Sequence, residues 1–558
     1  MILRFAYVFI CLSLLSHSAH ADNHKQAAVA SAHPLATQAG IEILQQGGNA
    51  FDAAIAVSAA LAVVEPTGSG LGGGGFWLLH RESDQFQIMI DGREKAPSAA
   101  HRDMYLDKNG KANPKASLNG PFSAGIPGLP AALVHLSQHY GKLSLAQTLA
   151  PAIRYAEQGF SVTEHYQKLL GFRRDVMASY PDSNAIFLRN SQIPKIGTRI
   201  IQTDLANTLR KIAQHGKAGF YQGNVANKLV DSVRHNGGIW SLEDLKNYQV
   251  VERKPITGTY KNYTITSASL PSSGGITLVS MLNQLELLPL TDTTKFQRRH
   301  FIVEAMRRAY HDRNYYLGDS DFVSPPVEKL TSKSYAAELV KTINPDLATS
   351  NDELDKAPRA KGEDTTHFSV IDQNGNRVSA TLSINYPFGS GFVAKGTGVL
   401  LNDEMDDFSS QVGQENVYKL VGSQANEIAP NKRPLSSMSP TFIEDNQHLM
   451  IIGTPGGSRI ITMVLLGMLD FIDGDNAQEI VAAPRFHHQH LPNYIQIESV
   501  GFSPDEIKEF EQHGHKTKLL SRQYGNMQVV IKDKNSGVVT AASDPRGEGE
   551  SIVEVIKH

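Results

Sequence analysis

Cysteine is nearly absent: Cys11 is the only one in 558 residues. The sequence also lacks an excess of either charge, with Lys+Arg 53 against Asp+Glu 56 and a net charge of −3. No basic tract interrupts that balance, so the electrostatic footprint needed to hold nucleic acid, polyphosphate or an anionic membrane is missing. Small, neutral-to-zwitterionic partners fit better. Nor does any stretch approach the ~20 uninterrupted apolar residues of a membrane-spanning helix. The longest apolar run, Phe5 to Leu15, follows Arg4 and is closed by Ala19-His20-Ala21, with small residues where a signal peptidase reads. The expectation is a cleaved leader over residues 1–21, a mature chain from Asp22 and a periplasmic or secreted product with no anchor. Cys11 falls inside that leader, and Ile10 before it is too large for lipoprotein cleavage. The mature protein then has neither thiol nor disulfide, which excludes cysteine nucleophiles and cysteine-based metal sites.

What is present is an ordinary globular composition, 41% hydrophobic and 20% charged. At ~150 residues per domain the length suggests three or four domains, or one large α/β unit. Past the leader, Leu35, Ala39 and Ile43 mark a helix that stops at Gly47-Gly48. Asn49 can cap a second helix, apolar nearly all round and therefore buried between layers, that ends at Glu65-Pro66. The run Gly68 to Gly75 contains a literal GxGxxG. Its order, however, is helix, glycines, strand, the reverse of a dinucleotide fingerprint, so the glycines read as a place where backbones approach closely. From Ser144 to Val340 amphipathic helices alternate with few short strands. Between Asn344 and Asp364 almost nothing is available to bury, which predicts an exposed, mobile segment.

Immediately afterwards Thr365 to Asp372 reads as a strand, Asp372-Gln-Asn-Gly375 as a turn, and Arg377 to Ile384 as the returning strand. If 372 pairs with 376, opposed residues sum to 748 and Thr365 faces Ser383. A threonine opening a strand just after a polar stretch is a suitable new N-terminus, since a free α-amino group with pKa near ~7.7–8 can serve as general base for its own hydroxyl. On spacing alone the commoner reading, a β-branched strand residue without chemistry, stands. Downstream, His448 to Gly453 reads as a strand, Thr454 to Ser458 as a turn and Arg459 to Ile472 as a helix. That order sets the amides of Gly456 and Gly457 at a helix N-terminus, where a developing oxyanion is favoured.

His33-Pro-Leu-Ala-Thr37, Gln46-Gly-Gly-Asn-Ala50, Ser69-Gly-Leu-Gly-Gly-Gly-Gly75, Asp91-Gly-Arg93, Asp364-Thr-Thr-His-Phe-Ser369, Glu404-Met-Asp-Asp-Phe-Ser409, Arg433-Pro-Leu-Ser-Ser-Met-Ser-Pro440 and Pro455-Gly-Gly-Ser458 together resemble the γ-glutamyltranspeptidase (glutathione hydrolase) family, from the first helix to the C-terminus. The resemblance implies a four-layer αββα N-terminal-nucleophile hydrolase, made as a proenzyme that cuts itself between Asp364 and Thr365. A large subunit, 22–364, and a small one, 365–558, would then stay together as a heterodimer. It implies Thr365 as nucleophile, Ser383 as its hydroxyl partner, and Gly456 and Gly457 as the oxyanion donors. Arg93, Ser436 and Ser437 would hold the α-carboxylate of glutathione or another γ-glutamyl compound; Asn385, Glu404 and Asp407 would take its ammonium. Without the resemblance, the acids read as a solvated turn. Tyr418, in Asn416-Val-Tyr418, resembles a lid residue of the bacterial members and favours small donors. The acyl group would pass to water or to an amino-acid or dipeptide acceptor, with no cofactor. Ser383 departs from the threonine of bacterial members, and its hydroxyl still donates.

The run His487-His488-Gln489-His490 invites a metal reading. Adjacent strand histidines point to opposite faces and no third ligand type lies nearby, so no metal is expected. Two rivals remain: an acylase for another amide, and an unprocessed γ-glutamyl-binding protein that is not an enzyme.

Overall fold

The structure is a computed structural model that describes residues 25–291, 293–350, 365–409 and 423–556. The expected leader 1–21, Tyr418 and, of the polar stretch 344–364, residues 351–364 with the expected cut-site residue Asp364 lie outside them. Thirteen strands form two large sheets. In chain order they are β1 (Gln26–Ser31), β2 (Gly74–Arg81), β3 (Phe86–Gly92), β4 (Val251–Arg253), β5 (Ile256–Tyr260), β6 (Tyr263–Ser267), β7 (Thr366–Ile371), β8 (Arg377–Ser383), β9 (Thr441–Glu444), β10 (His448–Gly453), β11 (Gln528–Asp533), β12 (Val539–Ser543) and β13 (Glu550–Val555). The first sheet runs β13-β1-β7-β8-β2-β3-β4 and the second β12-β11-β10-β9-β6-β5. Every ladder in both is antiparallel.

Alternation along the strands builds the layers. Ala27, Val29, Trp77, Leu79, Phe368 and Val370 belong to a core shared with helices α1 (Pro34–Gln45) and α2 (Ala50–Val64). Their neighbours Ala28, Ala30, Phe76 and Leu78 join a second core, formed with the other sheet and with α3 (Gly274–Leu285), α4 (Lys295–Tyr316) and α5 (Ile460–Asp473). The order is helix, sheet, sheet, helix: the αββα sandwich. The middle of the chain is helical as its patterning predicts, with Leu145–Gln158, Glu164–Ser179, Thr203–His215 and Gly223–His235. No helix among the described residues is long and apolar enough to cross a membrane.

The Asn49 cap is a capping box with Asp52, and all of α2 is buried. The predicted hairpin register also holds. Arg377 pairs Ile371 and Leu382 pairs Thr366, with Gly375 at φ +90° in the turn and Asp372 Oδ1 accepting from the Asn374 and Asn376 amides at 2.9 and 3.0 Å. Between the sheets the packing is partly polar. Ser369 Oγ donates to the Gln528 carbonyl at 3.1 Å, and Ser379 Oγ donates to that of Ile452, also at 3.1 Å. His367 lies 2.8 Å from Thr381 Oγ1 and is driven down to about 3 by burial, so it is a neutral structural histidine.

The glycine run after α2 serves close approach. A Cβ on Gly73 would sit 2.2 Å from the Ser383 carbonyl oxygen, and one on Gly72 would sit 2.0 Å from that of Leu400. Backbone on both sides leaves nothing flexible to yield. Gly73→Ala is therefore expected to lower stability by ~1–3 kcal/mol through overpacking, read as a fall in melting temperature of the purified protein. An unchanged midpoint would contradict the contact.

Candidate active site

Thr365 immediately precedes β7 and is 6% exposed. The last ladder pair is Leu382 with Thr366, so one further step sets Thr365 opposite Ser383, as the register predicts. The turn after α2 closes on the same point: a Cβ on Gly68 would lie 3.0 Å from the Thr365 carbonyl oxygen. Thr365 and Ser383 line a recess of about 310 Å³, together with Arg93, Asn385, Asp407, Ser436, Ser437 and Gly457. A neighbouring recess of about 730 Å³ shares Thr365 and contains Gly456. Gly457 thus lines the first recess and Gly456 the second, with Thr365 common to both.

β10 delivers the chain to Gly456 and Gly457, which adopt φ +138° and +56°, conformations in the left-handed region that favours glycine. Here the structure refines the predicted helix start. A 3₁₀ turn, Gly457–Arg459, comes first and α5 follows from Ile460. The turn is pinned from outside by Tyr310 Oη, which donates to the Ser458 carbonyl, and by Ser458 Oγ, which donates to Gln489 Oε1 at 2.6 Å. Gln489 Oε1 also lies 2.7 Å from His487 Nε2. Part of the tempting histidine run is therefore scaffolding for the glycine turn.

The acids occupy a second 3₁₀ turn, Glu404–Asp407. In that geometry residues i and i+3 eclipse, so Glu404 and Asp407 face the same way. They are not a solvated turn. Glu404 is 1% exposed, and Asn402 Oδ1 accepts from its amide at 2.9 Å. Arg93 Nη1 reaches Glu404 at 2.7 Å and Arg93 Nη2 reaches Asp407 at 2.5 Å, with Glu94 at 3.7 Å. The groups assigned to opposite ends of a substrate are thus joined through one guanidinium. Burial pushes the Glu404 carboxyl up to about 7; Arg93 opposes the shift and Asp407 adds to it. Burial also disfavours the Arg93 charge, but Glu404 and Asp407 outweigh it and hold the guanidinium above its ordinary value. Asn385, at φ +74°, donates through Nδ2 to the Asp403 carbonyl at 3.0 Å, and its amide donates to Ser383 Oγ at 2.8 Å.

In the same recess, Ser436 Oγ accepts from the Met438 amide at 3.1 Å and Ser437 Oγ accepts from Arg313 Nη2 at 3.0 Å. Each hydroxyl keeps an O–H to donate, and both serines line the recess. Two O–H donors suit a carboxylate. Sequence reasoning missed Glu94 and Arg313. The signal for Arg313 was available: it continues the stripe Phe301, Ala305 and Ala309 along the buried face of α4, where a charged residue calls for a reason.

One group among the described residues has metal-ligand geometry. His300, Glu304 and His515 offer ligand atoms within 4.8 Å of one another. Glu304 is ion-paired with Arg307 at 3.2 Å and Arg308 at 2.6 Å, and these guanidinium groups oppose a further cation.

The family model for gamma-glutamyltranspeptidase matches residues 36–554. A glutathione hydrolase proenzyme from Pseudomonas sp. (strain A14) is 45% identical over 494 residues, 88% of this chain and 86% of its own. Another from Escherichia coli (strain K12) is 42% identical over 537 residues, 94% of this chain and 91% of its own. Among solved structures, a cephalosporin acylase from Bacillus halodurans superposes with TM-score 0.83 at 29% identity, covering 95% of this chain and 96% of its own. The Helicobacter pylori gamma-glutamyltranspeptidase gives TM-score 0.57 at 41% identity, covering 58% of this chain and 94% of its own. With a matching family model over nearly the whole length and relatives of this identity, the chain belongs to the γ-glutamyltranspeptidase family.

Proposed function

We propose that the chain is a self-cleaving γ-glutamyltranspeptidase and glutathione hydrolase with Thr365 as nucleophile. One observation carries the reading: Thr365 opens on a recess lined by Ser436, Ser437, Arg93, Asn385 and Asp407, with Glu404 ion-paired to Arg93, the complement of an α-amino-acid head group. In maturation, Thr365 Oγ attacks the Asp364 carbonyl carbon, the C–N bond breaks as the ester forms and so frees the α-amine, and water hydrolyses the ester to release the Asp364 carboxylate and restore the Thr365 hydroxyl. Residues 22–364 and 365–558 become the two subunits, after removal of leader 1–21 and export to the periplasm or beyond. In turnover the α-amine takes the Oγ proton, Oγ attacks the γ-carbonyl, and the Gly456 and Gly457 amides receive the oxyanion. The departing amine takes the proton. Water or the amine of an amino acid or dipeptide then breaks the acyl ester. The chemistry uses no cofactor.

The likeness to a cephalosporin acylase makes donor choice the point to test. Intact mass and N-terminal sequencing are expected to give two chains, the smaller beginning Thr-Thr-His-Phe, and the protein is expected to cleave a γ-glutamyl anilide but not adipyl or glutaryl amides. A single uncut chain with ligand affinity, or the reverse substrate preference, would refute the reading.

Because the Glu404 carboxyl sits at about 7, it is neutral below that value and attracts a substrate ammonium only above it. Donor kcat/KM is expected to rise with pH through 7, falling about tenfold per unit on the acid side. Glu404→Gln should remove this limb and leave the one set by the Thr365 α-amine. A profile that keeps its shape in Glu404→Gln would reassign the limb.

A further inference from the structure

Most buried guanidinium groups among the described residues are matched by carboxylates, with Arg173 and Arg313 as the exceptions; Arg173 is held by Asn119 Oδ1 and by the Leu118 and Gly389 carbonyls, away from the serines of the recess. Arg93 has Glu404 and Asp407, Arg307 and Arg308 share Glu304, Arg433 has Asp91, and Arg485 has Asp544. Arg313, 3% exposed, makes no ion pair with any described carboxylate; its partners are neutral oxygens of Ser273 at 2.9 Å, Asn314 at 3.1 Å and Ser437 at 3.0 Å. A cation taken from water without a counter-charge is strongly disfavoured, and burial accordingly lowers this guanidinium to about 10.

Its position supplies a reason. Arg313 Nη2 fixes Ser437 Oγ as an acceptor. Arg313 Nε holds Ser273, whose hydroxyl and amide both donate to the Ser436 carbonyl, at 2.7 and 2.9 Å. Both serines that face the recess are thus set by one side chain behind them. Arg93, the other cation here, already has its charge offset by Glu404 and Asp407, so a carboxylate entering between the serines finds its uncompensated counter-charge in Arg313.

We propose that Arg313 is a positioning residue for the donor's α-carboxylate, acting through Ser437 and Ser436, and that it makes the enzyme select donors carrying that group. This rests on the γ-glutamyl reading above. The empty site keeps a buried charge unmatched, and the incoming carboxylate matches it, so the interaction is spent on recognition rather than on the free fold.

The test compares a γ-glutamyl anilide with the 4-aminobutyryl anilide, which differs only by lacking the α-carboxylate. In Arg313→Gln the KM for the γ-glutamyl anilide is expected to rise at least ~tenfold with kcat changed less than ~threefold, while the KM for the 4-aminobutyryl anilide stays unchanged. Arg313→Lys, which keeps the charge, should retain most of the discrimination and remains readable if the Gln variant folds poorly. Equal losses with both donors, or full loss of discrimination in Arg313→Lys, would overturn the proposal. If the native protein fails to cleave the γ-glutamyl anilide at all, the parent reading fails; if it cleaves it and Arg313→Gln still discriminates, only this inference does.

Discussion

Thr365→Ala is expected to give one folded, uncut mature chain with γ-glutamyl anilide hydrolysis reduced by ~10³-fold or more, since nucleophile and base belong to one residue and leave together. In the proposed mechanism the hydroxyl is needed twice, to break the bond before residue 365 and to carry the acyl group afterwards. Little else should change. The residue precedes β7, its neighbours' ladder with β8 is made by backbone, and the deletion leaves no polar group of its own behind. Melting should therefore stay within ~1 kcal/mol of an uncut reference. Thr365→Ser, retaining the hydroxyl, should still be cut and keep part of the activity. Mass spectrometry and the anilide assay decide it: a processed, active Thr365→Ala protein would sink the mechanism.

Arg93→Met is expected to be the most damaging change outside the nucleophile. One guanidinium, 1% exposed, faces Glu404, Asp407 and Glu94, of which Glu94 and Glu404 are equally buried. Removing it leaves carboxylates in low dielectric without a cation, a situation that costs ~3–5 kcal/mol when a buried pair is broken. Donor kcat/KM should fall ~10²–10³-fold, matching the ~2–5 kcal/mol that truncating one member of a buried charge set removes. The stability deficit has a pH signature with a definite sign. Burial already raises Glu94 and Glu404; without the guanidinium both rise further, so they take protons as pH falls and shed the uncompensated charge. Denaturant melts at pH 8 and pH 5.5 should show the gap to the native protein narrowing at the lower pH. A gap that widens would mean the acids are not the source.

Much of this was legible in the sequence because short-range rules governed it. The β7–β8 hairpin declared its own register through Asp372 and Gly375, and the capped, all-apolar α2 declared its burial. The glycines at 456 and 457 could be read as a strand-to-helix turn, although the intervening 3₁₀ turn could not, because it depends on Tyr310 and Gln489 from distant segments. The resemblance supplied the roles of Arg93, Glu404 and Asp407, and the local pattern of the two acids pointed to solvent. What makes them buried is an eclipsed 3₁₀ turn anchored by Asn402 against the glycine loop, its Nδ2 donating to the Gly72 carbonyl at 2.6 Å. The role of Arg313 was hidden because α4 carries many charged residues, and only packing reveals which of them lack an opposite charge.

The strand order of the first sheet has a consequence for the matured molecule. A cut before Thr365 assigns β1, β2, β3 and β4 to one polypeptide and β7, β8 and β13 to the other, so in the order β13-β1-β7-β8-β2-β3-β4 the two chains alternate like threads. The second sheet changes owner between β9 and β6. The products of the cut therefore share no separable face; parting them would require unzipping ladders in both sheets. The severed bond removes a tether without loosening the weave, and dissociation of the subunits becomes the same event as unfolding.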